Sequence, residues 1–215
     1  MSVVLAVDLD RRPLHRVPCD LVAAPLFASG LPMRGPAASL DWRLCGIAAR
    51  AALRDRSTAE PGRALLAPTR GRMRAAWALF GGAGDPAAFG EPGARAWAAD
   101  VVSRAAELRI GALALALAPE RISRLALDRS IAATLAGAAS ALAARPSALR
   151  LRLVVAPADM NRAEAALAAA PRSFPGGVAI RIERAPSEPA GDAALAPAQR
   201  DLAAAATLRS GATPA

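Results

Sequence analysis

The 215-residue sequence contains no lysine and no tyrosine, one histidine and two cysteines. Each scarcity closes off some chemistry. Without lysine there is no phosphate-binding P-loop. His15 lies between arginine-bearing turns and reads as an ordinary loop histidine, so neither a multi-histidine metal site nor a histidine relay is expected. Cys19 and Cys45 lack paired-ligand spacing, which argues against zinc; they read as reduced core thiols of a cytoplasmic protein. Aromatic residues make up 3% of the chain, so its core must be built from Leu, Val, Ile and Ala. No apolar run is long enough to cross a bilayer; the purest, Ala112 to Ala118, has the length of a buried strand. The N-terminus has no basic head, and Asp8 interrupts its apolar stretch, so no secretory signal is expected.

All 27 basic residues are arginine, and the net charge is +9. Twelve arginines lie between Arg11 and Arg74 against only Asp20, Asp41, Asp55 and Glu60. A basic half can mark a polyanion partner. The reading preferred on composition is a solvated arginine-rich surface.

The chain is organised around residues 75–108. An apolar run through Trp77 to Phe80 empties into Gly81-Gly82-Ala83-Gly84-Asp85-Pro86 and then into an Ala-rich helical pattern, the strand–loop–helix unit of an α/β sheet. Gly81, Gly82 and Gly84 permit positive φ and close backbone approach, which makes this loop the candidate ligand site together with Asp85.

Before it, Val3 to Leu9 and Asp20 to Phe27 read as strands. Ala37 to Arg54 reads as one helix, with Leu40, Leu44, Ile47 and Ala51 on a single stripe. Ala64 to Pro68 and the Trp77 strand make a hairpin across Arg70-Gly71-Arg72. After it, Trp97, Val101, Val102, Ala105 and Leu108 form a buried helix face, with Asp100 and Arg104 paired outside it. Gly111 to Ala118 is a strand, Arg121 to Ala144 a long helix, and Arg150 to Ala156 a strand. Asp159 caps a helix through Ala170. Val178 to Glu183 alternates like a strand near a sheet edge. From residue 185 the composition shifts to Ala, Pro, Ser, Gly and Thr, so 1–184 is expected to be one domain and 185–215 a flexible tail. Strands separated by helices favour a mixed, largely parallel sheet covered on both faces, with ligand loops at its carboxyl edge after Phe80, Ala118 and Ala156.

The progression Asp20-Leu21-Val22-Ala23-Ala24-Pro25-Leu26-Phe27, Leu31-Pro32-Met33-Arg34-Gly35, Leu40-Asp41, Gly62-Arg63-Ala64-Leu65-Leu66 and Leu79-Phe80-Gly81-Gly82-Ala83-Gly84 resembles the N-terminal domain of the M17 leucyl aminopeptidase family. It covers residues 3–144, and more loosely extends to Glu183. The resemblance implies a three-layer α/β/α macro-domain-like fold. It also implies what is lacking here. In that family the peptidase is a separate C-terminal domain with metal-binding acids and essential lysines, and its Asn-Thr-Asp-Ala-Glu-Gly-Arg signature does not occur in this sequence. No catalytic residue carries over, and no metal or cofactor is implied.

The remaining candidates are weighed residue by residue. Asp8 with Asp10, and Asp41, read as solvated or capping acids; Asp159 and Glu164 point to one helix and not to opposed carboxylates. Gly82-Ala83-Gly84-Asp85-Pro86-Ala87 fits a G-x-G-x-x-A template after a strand. Pro86, however, removes a donor from the cradle, and no acid ends a second strand at the required distance, so a structural turn is the preferred reading. An ADP-ribose-binding macro domain would be expected to show an Asn-rich loop, and Asn161 is the only asparagine. Trp42 sits off the main helix stripe and reads as packed at a second interface in preference to touching nucleic acid.

The leading expectation is a non-catalytic binding and assembly module that associates with itself or with an aminopeptidase. The first alternative is a nucleic-acid-associated protein using Arg70, Arg72 and Arg74, for which scattered arginines would give only diffuse, salt-sensitive attraction. The second is nucleotide-like ligand binding at Gly81–Asp85.

Overall fold

A computed structural model of the chain describes residues 3–28 and 33–183. The tail expected from residue 185 lies outside the described residues. Eight strands form one sheet: β1 (Val3–Asp10), β2 (Leu21–Phe27), β3 (Ala64–Pro68), β4 (Trp77–Gly84), β5 (Ala112–Ala116), β6 (Arg150–Val154), β7 (Ser173–Phe174) and β8 (Val178–Ile182). Their order is β3-β4-β2-β5-β6-β1-β8-β7. The six inner strands run parallel, and the edge strands β3 and β7 pair antiparallel with β4 and β8. The sheet is therefore mixed and largely parallel, and the β3–β4 hairpin is present with Pro68 opposite Trp77. Strands this apolar suit a sheet buried on both faces.

One face carries α1 (Gly35–Arg43) and α2 (Ile47–Arg54), whose Ala37, Leu40, Leu44 and Ala48 join Val22, Ala24, Leu26, Phe80 and Ala114 in one core. The other carries α3 (Gly90–Glu107), α5 (Leu127–Ala144) and α6 (Met160–Ala169), with the short α4 (Glu120–Ser123) preceding α5. Trp97, Val101, Val102 and Ala105 are buried as the periodicity predicts, and Arg104 Nε donates to Asp100 Oδ2 at 2.9 Å. Small residues let α3 and α5 approach closely: a Cβ at Gly137 would run into the Arg95 carbonyl. Among the described residues no helix is long and apolar enough to cross a membrane.

Two helices expected to be continuous are broken. The helix over 37–54 ends at Arg43 and restarts at Ile47, because Cys45 (φ 57°) and Gly46 (φ 76°) take left-handed conformations. Asp41 explains how the break is tolerated: its buried carboxylate accepts the Ala48 amide at 2.7 Å, capping α2 from within α1. The helix over 121–144 is likewise divided where Arg124 (φ 54°) closes α4 before α5 begins. Asp159 does occupy the N-cap of α6, although its side chain makes no capping hydrogen bond.

Candidate functional site

The parallel register brings the ends of β4, β2, β5 and β6 to one carboxyl edge, the place where α/β sheets bind ligands. At this edge Gly81 and Gly82 are strand residues and not a loop, since β4 continues to Gly84. Packing requires their lack of side chains. A Cβ at Gly81 would fall 2.5 Å from Trp97 Nε1, whose N–H donates to the Gly81 carbonyl at 3.1 Å. At Gly82 it would strike the Glu60 carbonyl oxygen, while the Gly82 amide donates to Arg63 O at 2.8 Å. Of the three, only Gly84 uses a positive φ (67°), at a bulge where the β2 register slips between Leu26 and Phe27.

Asp85 turns the chain into α3. Its Oδ1 accepts the Ala87 amide at 2.9 Å and its carbonyl accepts Ala88 N at 3.1 Å, so these donors are already committed. Phe89 then packs edge-on against Phe27, with ring centroids 5.1 Å apart. Beside this pair a shallow cleft is lined by Leu26, Phe27, Met33, Arg34, Ala37 and Ile122, and it encloses only about 10 Å³. That is far less than the roughly 300–1,000 Å³ of an ordinary small-molecule site. Apart from Arg34, which supplies its one charge, the residues that line it carry apolar side chains.

The acids have structural partners. Asp8 and Asp10 are buried, contrary to a solvated reading, because both point from β1 to the same face as Arg152 of the neighbouring strand β6. Arg152 clamps Asp8 with Nε to Oδ1 at 2.8 Å and Nη2 to Oδ2 at 3.0 Å, and donates to Pro18 O at 3.2 Å. Asp10 accepts from Arg12 through backbone and side chain. Burial alone would raise the Asp10 carboxyl pKa; the Arg12 hydrogen bonds and the charges of Arg12 and Arg152 outweigh it and hold it below its ordinary value. Asp20 Oδ2 accepts the Gly111 and Ala112 amides at 3.0 and 2.9 Å.

Among the described residues no three His, Cys, Asp or Glu side chains group closely enough to hold a metal ion. The Cys19 thiol faces the Val17 and Leu21 carbonyls, and burial pushes its pKa up to about 12, which leaves it protonated and inert. Cys45 is exposed and not in the core, because it occupies the left-handed link between α1 and α2; both cysteines are free thiols.

The remaining predicted residues gather elsewhere. Arg70, Arg72 and Arg74 are exposed on the β3–β4 connection, at the amino edge of the sheet because β4 begins at Trp77. Arg72 Nη1 reaches the Arg43 carbonyl at 3.4 Å and touches Cys45 Sγ, and the Arg74 amide donates to His15 O at 3.1 Å. His15 Nδ1 is buried without a hydrogen-bond partner. Burial, then the charges of Arg43 and Arg16, lower the His15 pKa. Trp42 is not packed: it is 85% exposed at the end of α1, opposite the face that buries Leu40 and Asp41.

No family model and no curated protein matches the chain in sequence. Solved structures do match in shape. The macro domain of ganglioside induced differentiation associated protein 2 is similar at TM-score 0.61 and 15% identity, over 78% of this chain and 86% of that one. A Trypanosoma brucei macrodomain in complex with ADP is similar at TM-score 0.57 and 15% identity, over 74% of this chain and 67% of that one. A tomato leucine aminopeptidase is similar at TM-score 0.54 and 13% identity, over 76% of this chain but 35% of that one. At these identities the likeness is one of fold: the chain has a macro-domain-like α/β architecture.

Proposed function

We propose that the chain is a non-catalytic macro-like binding and assembly module, related to the N-terminal domain of leucyl aminopeptidases, that associates with itself or with an aminopeptidase. The observation that carries this reading is the structural employment of its buried acids. Asp8 and Asp10 are held by arginines, and Asp41 caps a helix. None is left aimed into the carboxyl-edge cleft, which is apolar apart from Arg34. General acid–base or metal chemistry needs such a group within reach of the bound substrate. The likeness in fold to a tomato leucine aminopeptidase, of which this chain spans 35%, is the reason an aminopeptidase is named as the partner.

A nucleotide-like ligand is the second reading. The cleft beside Arg34 favours it, as does the ADP held by the trypanosomal neighbour. With the Ala87 and Ala88 amides committed to Asp85, Arg34 would be the group left to meet a phosphate.

The test combines turnover and association. Purified protein given manganese or zinc is expected to leave a leucine anilide intact, and sedimentation velocity is expected to show self-association or co-sedimentation with an added leucyl aminopeptidase. Metal-dependent hydrolysis that survives repurification overturns the reading. Calorimetric binding of ADP-ribose that is abolished by Arg34→Ala replaces it with the second.

A further inference from the structure

We propose that the surface formed by Trp42, Arg43, Arg50, Arg72 and Arg16 binds single-stranded nucleic acid, with Trp42 as a stacking platform for a base and the arginines as phosphate contacts. This surface is separate from the carboxyl edge and independent of the function proposed there.

The argument starts from the distribution of charge. From residue 95 to residue 181, seven of the twelve arginines (Arg104, Arg129, Arg145, Arg150, Arg152, Arg162 and Arg181) pair with an acid. Over 11–72, by contrast, Arg12 is the one arginine to do so among the described residues. The excess positive charge is therefore not spread evenly, and the fold draws part of it together. Arg72 comes from the β3–β4 connection to the end of α1, where it meets the Arg43 carbonyl and Cys45. Arg50 reaches back from α2 to the Cys45 carbonyl. Arg16 and Arg43 both impose their charge on His15. The acid of this neighbourhood, Asp41, is turned inward to cap α2 and leaves the positive field outside uncancelled.

Trp42 belongs to the same turn: it precedes Arg43, and its carbonyl accepts the Cys45 amide at 3.2 Å. A tryptophan contributes more by burial than most side chains, and leaving it 85% exposed forgoes that gain. Arg43 follows Trp42 in the chain, Arg50 and Arg72 reach Cys45 three residues on, and among the described residues none of these arginines pairs with a carboxylate. An acidic protein segment would satisfy the arginines but offers nothing specific to an indole face, whereas every nucleobase does. Duplex DNA would require an element that enters a groove with its bases stacked inside, and the end of a nine-residue helix beside a left-handed turn is not such an element. A flexible single strand can present bases to the ring and phosphates to arginines on four different segments.

The test uses the whole protein and fluorescein-labelled oligothymidylate of about 20 nucleotides, followed by anisotropy against salt. Four phosphate contacts predict a slope of log affinity against log salt near −3, from roughly −0.7 per contact on single strands. Trp42→Ala is expected to weaken binding by roughly 5- to 150-fold, the worth of one stacked base, with the slope unchanged. Trp42→Phe should restore most of the loss. Arg43→Ala and Arg72→Ala should each flatten the slope by about 0.7. The substituted groups are exposed, so circular dichroism should be unaffected. Unchanged affinity in Trp42→Ala overturns the proposal, as does a duplex of equal length bound as tightly as the single strand. Displacement of the oligonucleotide by polyglutamate at equal charge assigns the surface to an acidic protein instead. Self-association that Trp42→Ala abolishes, without any oligonucleotide binding, assigns it to a second copy.

Discussion

Replacing Arg152 by methionine tests the buried charges that hold β1 against β6. Arg152 and Asp8 are 6% and 1% exposed, and their two parallel hydrogen bonds at 2.8 and 3.0 Å form a bidentate clamp. Arg152→Met removes the clamp and leaves the Asp8 carboxylate buried, with Asp10 two residues along the same strand face. Breaking one side of such a pair costs about 3–5 kcal/mol, because the remaining charge keeps its desolvation penalty and loses its partner. The hydrogen bond to Pro18 O adds about 1 kcal/mol. Against a typical net stability of about 5–15 kcal/mol, this is a large fraction of the whole. The double variant Asp8→Leu with Arg152→Met removes both charges and should recover most of the loss, the Pro18 bond excepted. Urea unfolding followed by tryptophan fluorescence reports the transition, since Trp97 is 5% exposed in the folded state. If Arg152→Met costs less than about 1 kcal/mol, the pair behaves like a surface bridge and the reasoning fails. It also fails if the double variant is as unstable as the sum of the singles, for then the two charges are not coupled.

Two further outcomes follow from the same geometry. The Asp10 carboxyl is held below its ordinary value of 3.8, so its stabilising contribution is present above that pH and is lost as pH falls through the lower folded value. Asp10→Asn should therefore be less stable than the parent near neutral pH, with the difference in urea midpoint shrinking as pH falls below 3.8; a difference independent of pH contradicts this. Gly82→Ala should destabilise by more than about 2 kcal/mol, since its methyl group meets the backbone of Glu60, which cannot swing aside. Gly84→Ala, strained by its left-handed φ and by a tight 3.3 Å contact with the Pro61 ring but meeting no backbone, should cost about 1–2 kcal/mol. The reverse order in thermal unfolding would refute the packing account of these glycines.

The elements visible in the sequence are those whose signal is local. Leu21 to Phe27 and Ala112 to Ala116 are uninterrupted apolar runs of strand length, and both are strands. The α3 stripe follows from its period. The helix over 37–54 misled for an equally local reason: Leu40, Leu44, Ile47 and Ala51 keep a helical spacing across the break at Cys45 and Gly46. The carboxylate of Asp41 reconnects the two pieces from a buried position that spacing does not reveal. Asp8 and Arg152 lie 144 residues apart, and nothing in either neighbourhood announces the other until β1 is known to lie beside β6. The alternation of arginine with leucine in β6 suggests a solvated arginine face, which holds for Arg150 but not for Arg152.

The glycines after Phe80 show how one residue type supports opposite readings. In a loop, glycines expose amides to a ligand; in β4, Gly81 and Gly82 admit Trp97 and the Glu60 backbone instead, and the space a phosphate would need is already filled by the protein. The charge of residues 11–74 undergoes the opposite change. Scattered in sequence, its arginines predict a diffuse field; in the fold, Arg72, Arg43 and Arg50 converge on the Cys45 turn beside an exposed Trp42. Glycine spacing therefore pointed to a stretch of β4 whose free space at Gly81 and Gly82 is taken by packing. The amino-edge surface depends on contacts between Arg43 and Arg72, which are 29 residues apart, and on the inward turn of Asp41. Both are properties of the folded chain, which is why composition assigned these arginines to ordinary solvated surface.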